Sequence, residues 1–363
     1  MSFGARAVIR LDALQHNLNT LRDSVPDARI MAVVKANAYG HGLSAVAAAL
    51  DDVDSFAVAR LEEGRRLRAQ GVRQPIVLLE GVWDADDQAE AIKLGCELVI
   101  HCDEQIALLE QHAGSQCTVW LKVDTGMRRL GVTTEHAPAA LARLRALACV
   151  RELRLMTHFS SADELDNDKT RQQLERFRPL AEGFDGDVSV ANSPGTLGWQ
   201  EVAALKSSLG FSGDHWVRPG IALYGVSPFP GKTGADLGLR PVMQFEGRLI
   251  AVKAVQKGDT VGYTERYRAE KDTTIGVIAA GYGDGYTRRF EDGTPVVLNG
   301  RRVPLAGVVS LDMLTVDLGP DASDRVGDVA TLWGDELPVE ELVPFCGTLS
   351  YALLCGVTHR ELG

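Results

Sequence analysis

The sequence predicts an α/β fold, a (β/α)8 TIM-type barrel followed by a mainly β C-terminal domain. Three observations carry this. Eight short β-rich runs alternate with amphipathic helical patterns before residue 220, and that many β-α units in roughly 200 residues suit a closed barrel better than an open doubly wound sheet. Several runs are continuously apolar, as in Ile30–Val34, the pattern of strands covered on both faces. The rhythm then breaks at Pro228-Phe229-Pro230-Gly231-Lys232-Thr233-Gly234, a Pro/Gly-rich boundary followed by short β-rich runs without a long helix.

Taken in order, a strand-like segment at Ala7–Leu11 precedes the eightfold pattern, and the first ten residues are open to pairing with the C-terminal domain. The barrel strands are expected at Ile30–Lys35, Phe56–Ala59, Ile76–Leu79 and Glu97–His101, then at Thr118–Asp124, Leu153–His158, Val188–Asn192 and Trp216–Arg218. Each is short and rich in β-branched or aromatic residues. Apolar residues spaced three and four apart place helices at Leu61–Gln70, Ala85–Leu94, Gln105–Gln111, Ala137–Ala148 and Lys169–Glu182. Residues 1–228 form the barrel domain and residues 229–363 the β domain. In the latter, strands are expected at Val242–Val255, Thr273–Ala280, Thr294–Leu298, Arg302–Val309, Met313–Leu318 and Asp328–Leu332, with turns at Glu291-Asp292-Gly293 and Leu298-Asn299-Gly300-Arg301.

Composition removes several classes of function. The chain has 363 residues, enough for two domains, with 45% hydrophobic and 24% charged residues, the balance of a soluble globular protein. A net charge of −11 argues against nucleic acid or an anionic membrane as partner. No apolar run approaches a membrane span and the start lacks a signal-peptide pattern, so the expected location is cytoplasmic. The six cysteines are scattered without a Cys-x-x-Cys pair, and Cys96, His101 and Cys102 match no zinc spacing. No metal is expected.

In a barrel of this kind the chemistry lies at the C-terminal ends of the strands. Those ends offer Lys35 and then Tyr39; Lys122 with Asp124 and Arg129; His158; Asn192 and Ser193; and Arg218 before Gly220 and Ile221. A purely structural face would not need so many polar groups. Lysine is seldom fully buried without a partner, and burial lowers its pKa toward the range of a nucleophilic amine. The loops after strands seven and eight are a common phosphate seat in barrels; Ser193 can supply a hydroxyl, and Gly220-Ile221 backbone N–H groups. An amine at one edge and a phosphate seat at another describe a site for pyridoxal 5'-phosphate held on Lys35. Gly231-Lys232-Thr233 is not a P-loop, because the glycine required five residues earlier is Val226. Gly281-Tyr282-Gly283-Asp284-Gly285-Tyr286 lacks the helix and acidic residue of a dinucleotide site.

Along nearly its whole length the chain resembles bacterial alanine racemase. The resemblance rests on Val33-Val34-Lys35-Ala36-Asn37-Ala38-Tyr39-Gly40-His41-Gly42, on Asp124-Thr125-Gly126-Met127 with Arg129-Leu130-Gly131, and on His158-Phe159 and Asn192-Ser193. It continues through Val217-Arg218-Pro219-Gly220-Ile221-Ala222-Leu223-Tyr224-Gly225, Val261-Gly262-Tyr263, Ala280-Gly281-Tyr282-Gly283-Asp284-Gly285-Tyr286, Val309-Ser310-Leu311-Asp312 and Ser350-Tyr351. It implies interconversion of L- and D-alanine by two bases. Lys35 would carry the cofactor and serve one face, and Tyr263, from the other subunit of a homodimer, the opposite face. It further implies Arg218 at the pyridine nitrogen, His158 beside the ring, and Arg129 at the phenolic oxygen and near the substrate. Asn192 would bind the cofactor; Tyr39, Ser193, Gly220, Ile221 and Tyr351 would hold its phosphate. Leu311 and Asp312 would lie near the substrate carboxylate, and Tyr282 on the access channel. Lys122 matches a position carbamylated in some relatives; unmodified, it could pair with Asp124. His101, His112, His136, His215 and His359 have no such match and are read as structural.

Three positions depart from the family's pattern. Arg128 adds charge beside Arg129, Thr264 replaces a common glycine after Tyr263, and Leu311 replaces the usual methionine. None removes a catalytic group, but all bear on substrate choice. The alternatives are a serine or broad-specificity amino-acid racemase and a non-catalytic pyridoxal-phosphate-binding protein. A decarboxylase would require an acidic group where the chain has Arg218.

Overall fold

The computed structural model describes residues 4–112 and 114–358, so His359 lies outside the described residues. Eight strands form the barrel: Ala28–Val33, Ser55–Val58, Ile76–Leu78, Cys96–Ile100, Cys117–Asp124, Val150–Met156, Val188–Asn192 and His215–Arg218. Each pairs with the next in parallel, and the eighth returns to the first with Val217 opposite Ile30. The ring is therefore closed. Strands two, three and four are buried at every position, which explains their unbroken apolar sequence. A polar and aromatic layer crosses the barrel near the strands' N-terminal ends. There Trp120 meets Trp216 edge-on at 6.2 Å, Trp120 Nε1 donates to Glu97 at 2.7 Å, and Arg154 pairs with Glu97 at 3.2 Å and Asp187 at 3.1 Å.

The C-terminal sheet is antiparallel, in the order Arg301–Pro304, Pro295–Leu298, Val329–Trp333, Met243–Val255, Thr273–Ala279, Leu314–Asp317. Its seventh strand is the chain's first: Ala5–Ile9 pairs antiparallel with Met243–Val255, Ala5 opposite Gly247 and Ile9 opposite Met243. The predicted turn at Leu298-Asn299-Gly300-Arg301 is a two-residue hairpin with Asn299 at φ +50° and Gly300 at φ +74°, the positive pair such a turn requires.

Several boundaries differ from expectation; the sixth barrel strand, for one, spans Val150–Met156 rather than Leu153–His158. The run predicted over Arg302–Val309 is a strand only over Arg301–Pro304. Pro304 cannot donate to a ladder, Leu305 keeps one isolated bridge to Val316, and Gly307 at φ +96° turns the chain away. The first barrel strand ends at Val33, two residues before Lys35. Lys35 instead opens a turn with unusual backbone.

Candidate active site

Residues Ala36, Asn37, Ala38 and Tyr39 have φ values of +54°, +54°, +55° and +51°, one left-handed helical turn made without glycine. Each such residue costs roughly 1–2 kcal/mol, so its surroundings must hold the turn. Ala38 N donates to the Val34 carbonyl at 2.9 Å and Gly42 N to the Asn37 carbonyl at 3.0 Å. The Asn37 side chain accepts from Leu43 N at 3.0 Å, and Glu63 Oε1 accepts from Ala36 N at 2.6 Å. The turn closes against the C-terminal helix Ser350–Gly356. Gly40, at φ +84°, approaches the Leu354 carbonyl so closely that a Cβ would lie 2.2 Å from its oxygen.

This turn delivers Lys35 and Tyr39 to a cavity of about 450 Å³ at the C-terminal ends of the strands. Lys35, Tyr39, Lys122, Arg129, His158, Asn192, Ser193, Arg218, Gly220, Ile221 and Tyr351 all line it. A larger cavity of about 540 Å³ lies at the opposite end, beside Pro75, Cys96 and Cys117 at the strand starts. That face of a barrel serves stability, and it brings together none of the residues picked out above.

The site cavity is strongly cationic. Burial lowers the Lys35 pKa, and the Arg129 guanidinium lowers it further, against the opposing pull of Glu80 and Glu63. Burial, with Arg218 and Arg129, brings Lys122 down to about 7. Lys122 does not pair with Asp124: among the described residues no carboxylate lies within ion-pair distance of it. The Asp124 carboxylate turns back on its own loop, accepting from Gly126 N at 2.8 Å and Arg128 N at 3.1 Å. Arg128, at φ +60°, points to solvent. Fully buried Arg218 donates to the carbonyls of Thr157 at 2.6 Å and Val190 at 3.4 Å, to Ser189 Oγ, and to His158 Nδ1 at 3.2 Å. Burial pulls its pKa down to about 9, which still leaves it protonated at neutral pH. Burial and the neighbouring cations hold His158 well below the usual imidazole range. Arg218 can only donate, so His158 Nδ1 accepts from it, while Nε2 lies 3.5 Å from the Asn192 amide nitrogen.

Between strand seven and the short 3-10 turn Ile221–Tyr224 lies a small concave seat. Ser193 Oγ accepts from Gly220 N at 2.9 Å and Ala222 N at 3.3 Å. The Gly220 amide, expected to be open to a ligand, is thus engaged by the serine that flanks it. A Cβ at Gly220 would sit 2.6 Å from the Tyr39 hydroxyl, so the backbone must be bare there. The Tyr39 ring stands 5.0 Å from Tyr224 and 6.0 Å from Tyr351. Burial, with Tyr351 beside it, keeps the Tyr39 hydroxyl protonated. Burial, with the Asp163 carboxylate, holds Tyr351 up at about 12.

Of the residues predicted in the β domain, Tyr351 lines this cavity, while Tyr263, Tyr282, Leu311 and Asp312 do not. Tyr263 is 63% exposed, in a loop where Gly262 and Thr264 both have positive φ. Tyr282 and Leu311 are also exposed; their loops are stitched together by Tyr282 N to Ser310 O at 3.0 Å and Gly283 N to Leu311 O at 2.8 Å, which places Asp312 in the same cluster. The cavity also takes in Leu79, Glu80 and Cys355, which the sequence reading left out. Glu80 lies two residues beyond strand three, Ile76–Leu78, and Cys355 one helical turn beyond Tyr351.

Comparison with known proteins agrees with this arrangement. Residues 9–228 match the family described as alanine racemase, N-terminal domain, and residues 242–361 match alanine racemase, C-terminal domain. An alanine racemase of Vibrio cholerae is 51% identical over 358 residues, covering 98% of this chain and 96% of its own. The crystal structure of the biosynthetic alanine racemase from Pseudomonas aeruginosa superposes with a TM-score of 0.93 at 43% identity, covering 99% of both chains. A Bartonella henselae alanine racemase with covalently bound pyridoxal phosphate superposes at 0.87 with 27% identity, again over 99% of both chains. On fold, site and sequence together, the chain belongs to the alanine racemase family, whose members are pyridoxal-phosphate-dependent isomerases.

Proposed function

We propose that this protein interconverts L- and D-alanine, with Lys35 and Tyr263 as acid/base groups on opposite faces of the substrate and Tyr263 supplied by a second copy of the chain. The observation that carries the reading is the division of groups: Lys35 and the cationic cavity lie inside one barrel, while Tyr263 stands exposed on the β domain away from that cavity. The residues fit pyridoxal phosphate. One cavity brings together the Lys35 amine, the Tyr39 hydroxyl, Ser193 and the bare Gly220, and Lys122, Arg129 and Arg218 make it cationic, as an anionic cofactor requires. When bound, that cofactor withdraws electrons from the substrate's α-carbon and makes its proton removable.

The chain's own residues do the rest. Lys35, its amine made less basic by burial, gives and takes a proton on one face. Tyr263 does so on the other, and each positioned group of this kind contributes about 10²–10⁴-fold. Arg218, held by two carbonyls, Ser189 and His158, is assigned to the ring nitrogen. There a fixed cation disfavours protonation and restrains side reactions. Arg129 is assigned to the phenolic oxygen and the substrate, and Asn192 to the cofactor. Tyr39, Ser193, Gly220, Ile221 and Tyr351 are assigned to the phosphate. Leu311 and Asp312 of the second copy flank the substrate carboxylate, and Tyr282 lines the access channel. Lys122, with a pKa of about 7 and no carboxylate within ion-pair distance among the described residues, is suited to carbamylation, since carbamate forms on a neutral amine. Residues 1–228 and 229–363 act as separate domains in this scheme. The six free thiols support a cytoplasmic location.

The test is complementation. Lys35→Ala and Tyr263→Phe are each expected to lose at least about 10²-fold in turnover of alanine. Random mixing of the two should restore up to about a quarter of wild-type activity, because half the dimers are mixed and each has one complete site. If the mixture stays inactive while both variants dimerise, sharing of the site is wrong. Exchange at the α-carbon of serine, run beside alanine, decides the breadth of specificity.

A further inference from the structure

Glu63 stands outside the cavity, yet it touches the turn that carries Lys35. It is the third residue of the helix Leu61–Ala69, where a glutamate commonly folds back onto amides at its own helix start. Oε2 does so, accepting from Ala59 N at 2.9 Å and Arg60 N at 3.3 Å. Oε1 reaches into the neighbouring βα loop instead and accepts from Ala36 N at 2.6 Å. One carboxylate thus spans the loops after the first and second strands. Ala36 begins the left-handed run, and the amides of Ala38, Gly40 and Gly42 already bond within the turn. The bond at Ala36 ties the start of the run to the second βα loop, beside a longer contact of 3.5 Å from Arg66 to the Asn37 side-chain oxygen. Bonds to an ionised acceptor are roughly twice as strong as neutral ones, which suits a segment held against its own backbone preference. The same carboxylate raises the proton affinity of the Lys35 amine, opposing burial and Arg129.

We infer that Glu63 is a positioning residue, its carboxylate tying the left-handed turn to the second βα loop and fixing where the Lys35 amine points. This rests on Lys35 being the cofactor-bearing amine. Aspartate at position 63 is one methylene shorter: it still reaches the amides of its own helix start but not Ala36. The experiment is amide exchange by mass spectrometry on holoenzyme, with steady-state kinetics, for Glu63→Asp and Glu63→Gln. In Glu63→Asp, exchange in residues 35–42 should rise at least about tenfold while residues 61–69 stay as in wild type, and kcat should fall about tenfold with KM for alanine nearly unchanged, since small misplacement of a reacting group is costly. Glu63→Gln, which keeps the reach and one acceptor oxygen, should fall between aspartate and wild type; it carries the same two readouts if the shorter side chain does not fold. Unchanged exchange over 35–42, or equal loosening of 61–69, would make Glu63 a helix cap and nothing more. Racemisation by Lys35→Ala would instead remove the reading on which the inference rests, whatever the exchange shows.

Discussion

Gly220 is the residue whose identity the cavity dictates most narrowly. The space a Cβ would need is held by the Tyr39 hydroxyl, and Tyr39 is itself pinned between Tyr224 and Tyr351. Gly220→Ala is therefore expected to push Tyr39 outward and weaken pyridoxal phosphate binding at least about tenfold, about 1.4 kcal/mol, as read by fluorescence titration. A wild-type affinity would show that the seat is softer than its geometry. Arg218→Ala strips a partner from the buried carbonyl of Thr157, while the Ser189 hydroxyl keeps its bond to the Trp216 carbonyl. At about 1–3 kcal/mol per unsatisfied group, it should lower the urea midpoint as well as activity. Lys35, Arg218, His158 and Ser193 were legible in the sequence because each sits at a strand end, where polarity is out of place in an apolar run. Glu63 and Glu80 were not. Glu63 reads as an ordinary helix-start glutamate, and only closure of the barrel sets the second loop beside the first.

At the scale of elements, the left-handed turn inverts a usual rule. Ala→Gly inside a helix normally costs about 0.5–1 kcal/mol. Ala36 is exposed and sits at φ +54°, where its Cβ is the liability and glycine removes roughly 1–2 kcal/mol of strain. Ala36→Gly should leave the thermal midpoint unchanged or raised, and a clear drop would mean that the turn is less strained than its dihedrals. The sequence could not announce this element. Val33-Val34-Lys35 continues a β-rich run, and no glycine precedes Gly40 to mark a change of hand. Long-range bonds from Glu63 and the approach of Leu354 impose it. The barrel strands and the Asn299-Gly300 hairpin were legible, because local residue chemistry and tertiary position agree there. The run after Pro304 reads as a strand for the opposite reason: its apolar residues belong to a buried loop.

Across the whole molecule, buried neutral imidazoles set the acid limit. Burial holds His215 at about 4, and among the described residues its Nε2 has no hydrogen-bond partner; His158 lies lower than usual for the same reason. An unfolded histidine takes up its proton near pH 6.5. Stability is therefore whole above that pH and falls as pH drops toward 4, by up to about 1.4 kcal/mol per pH unit for each histidine. Urea midpoints at pH 7.5 and pH 5 should show the loss, and His215→Gln should flatten it; identical slopes for both proteins would assign acid sensitivity elsewhere. The N-terminal strand has a consequence for how the chain is made. Ala5–Ile9 leaves the ribosome more than two hundred residues before its partner, Met243–Val255. In between, all eight barrel strands have been synthesised and can close. The strand thus stays without its partner while the whole barrel is made, an exposed edge that a chaperone or a second nascent chain has time to take.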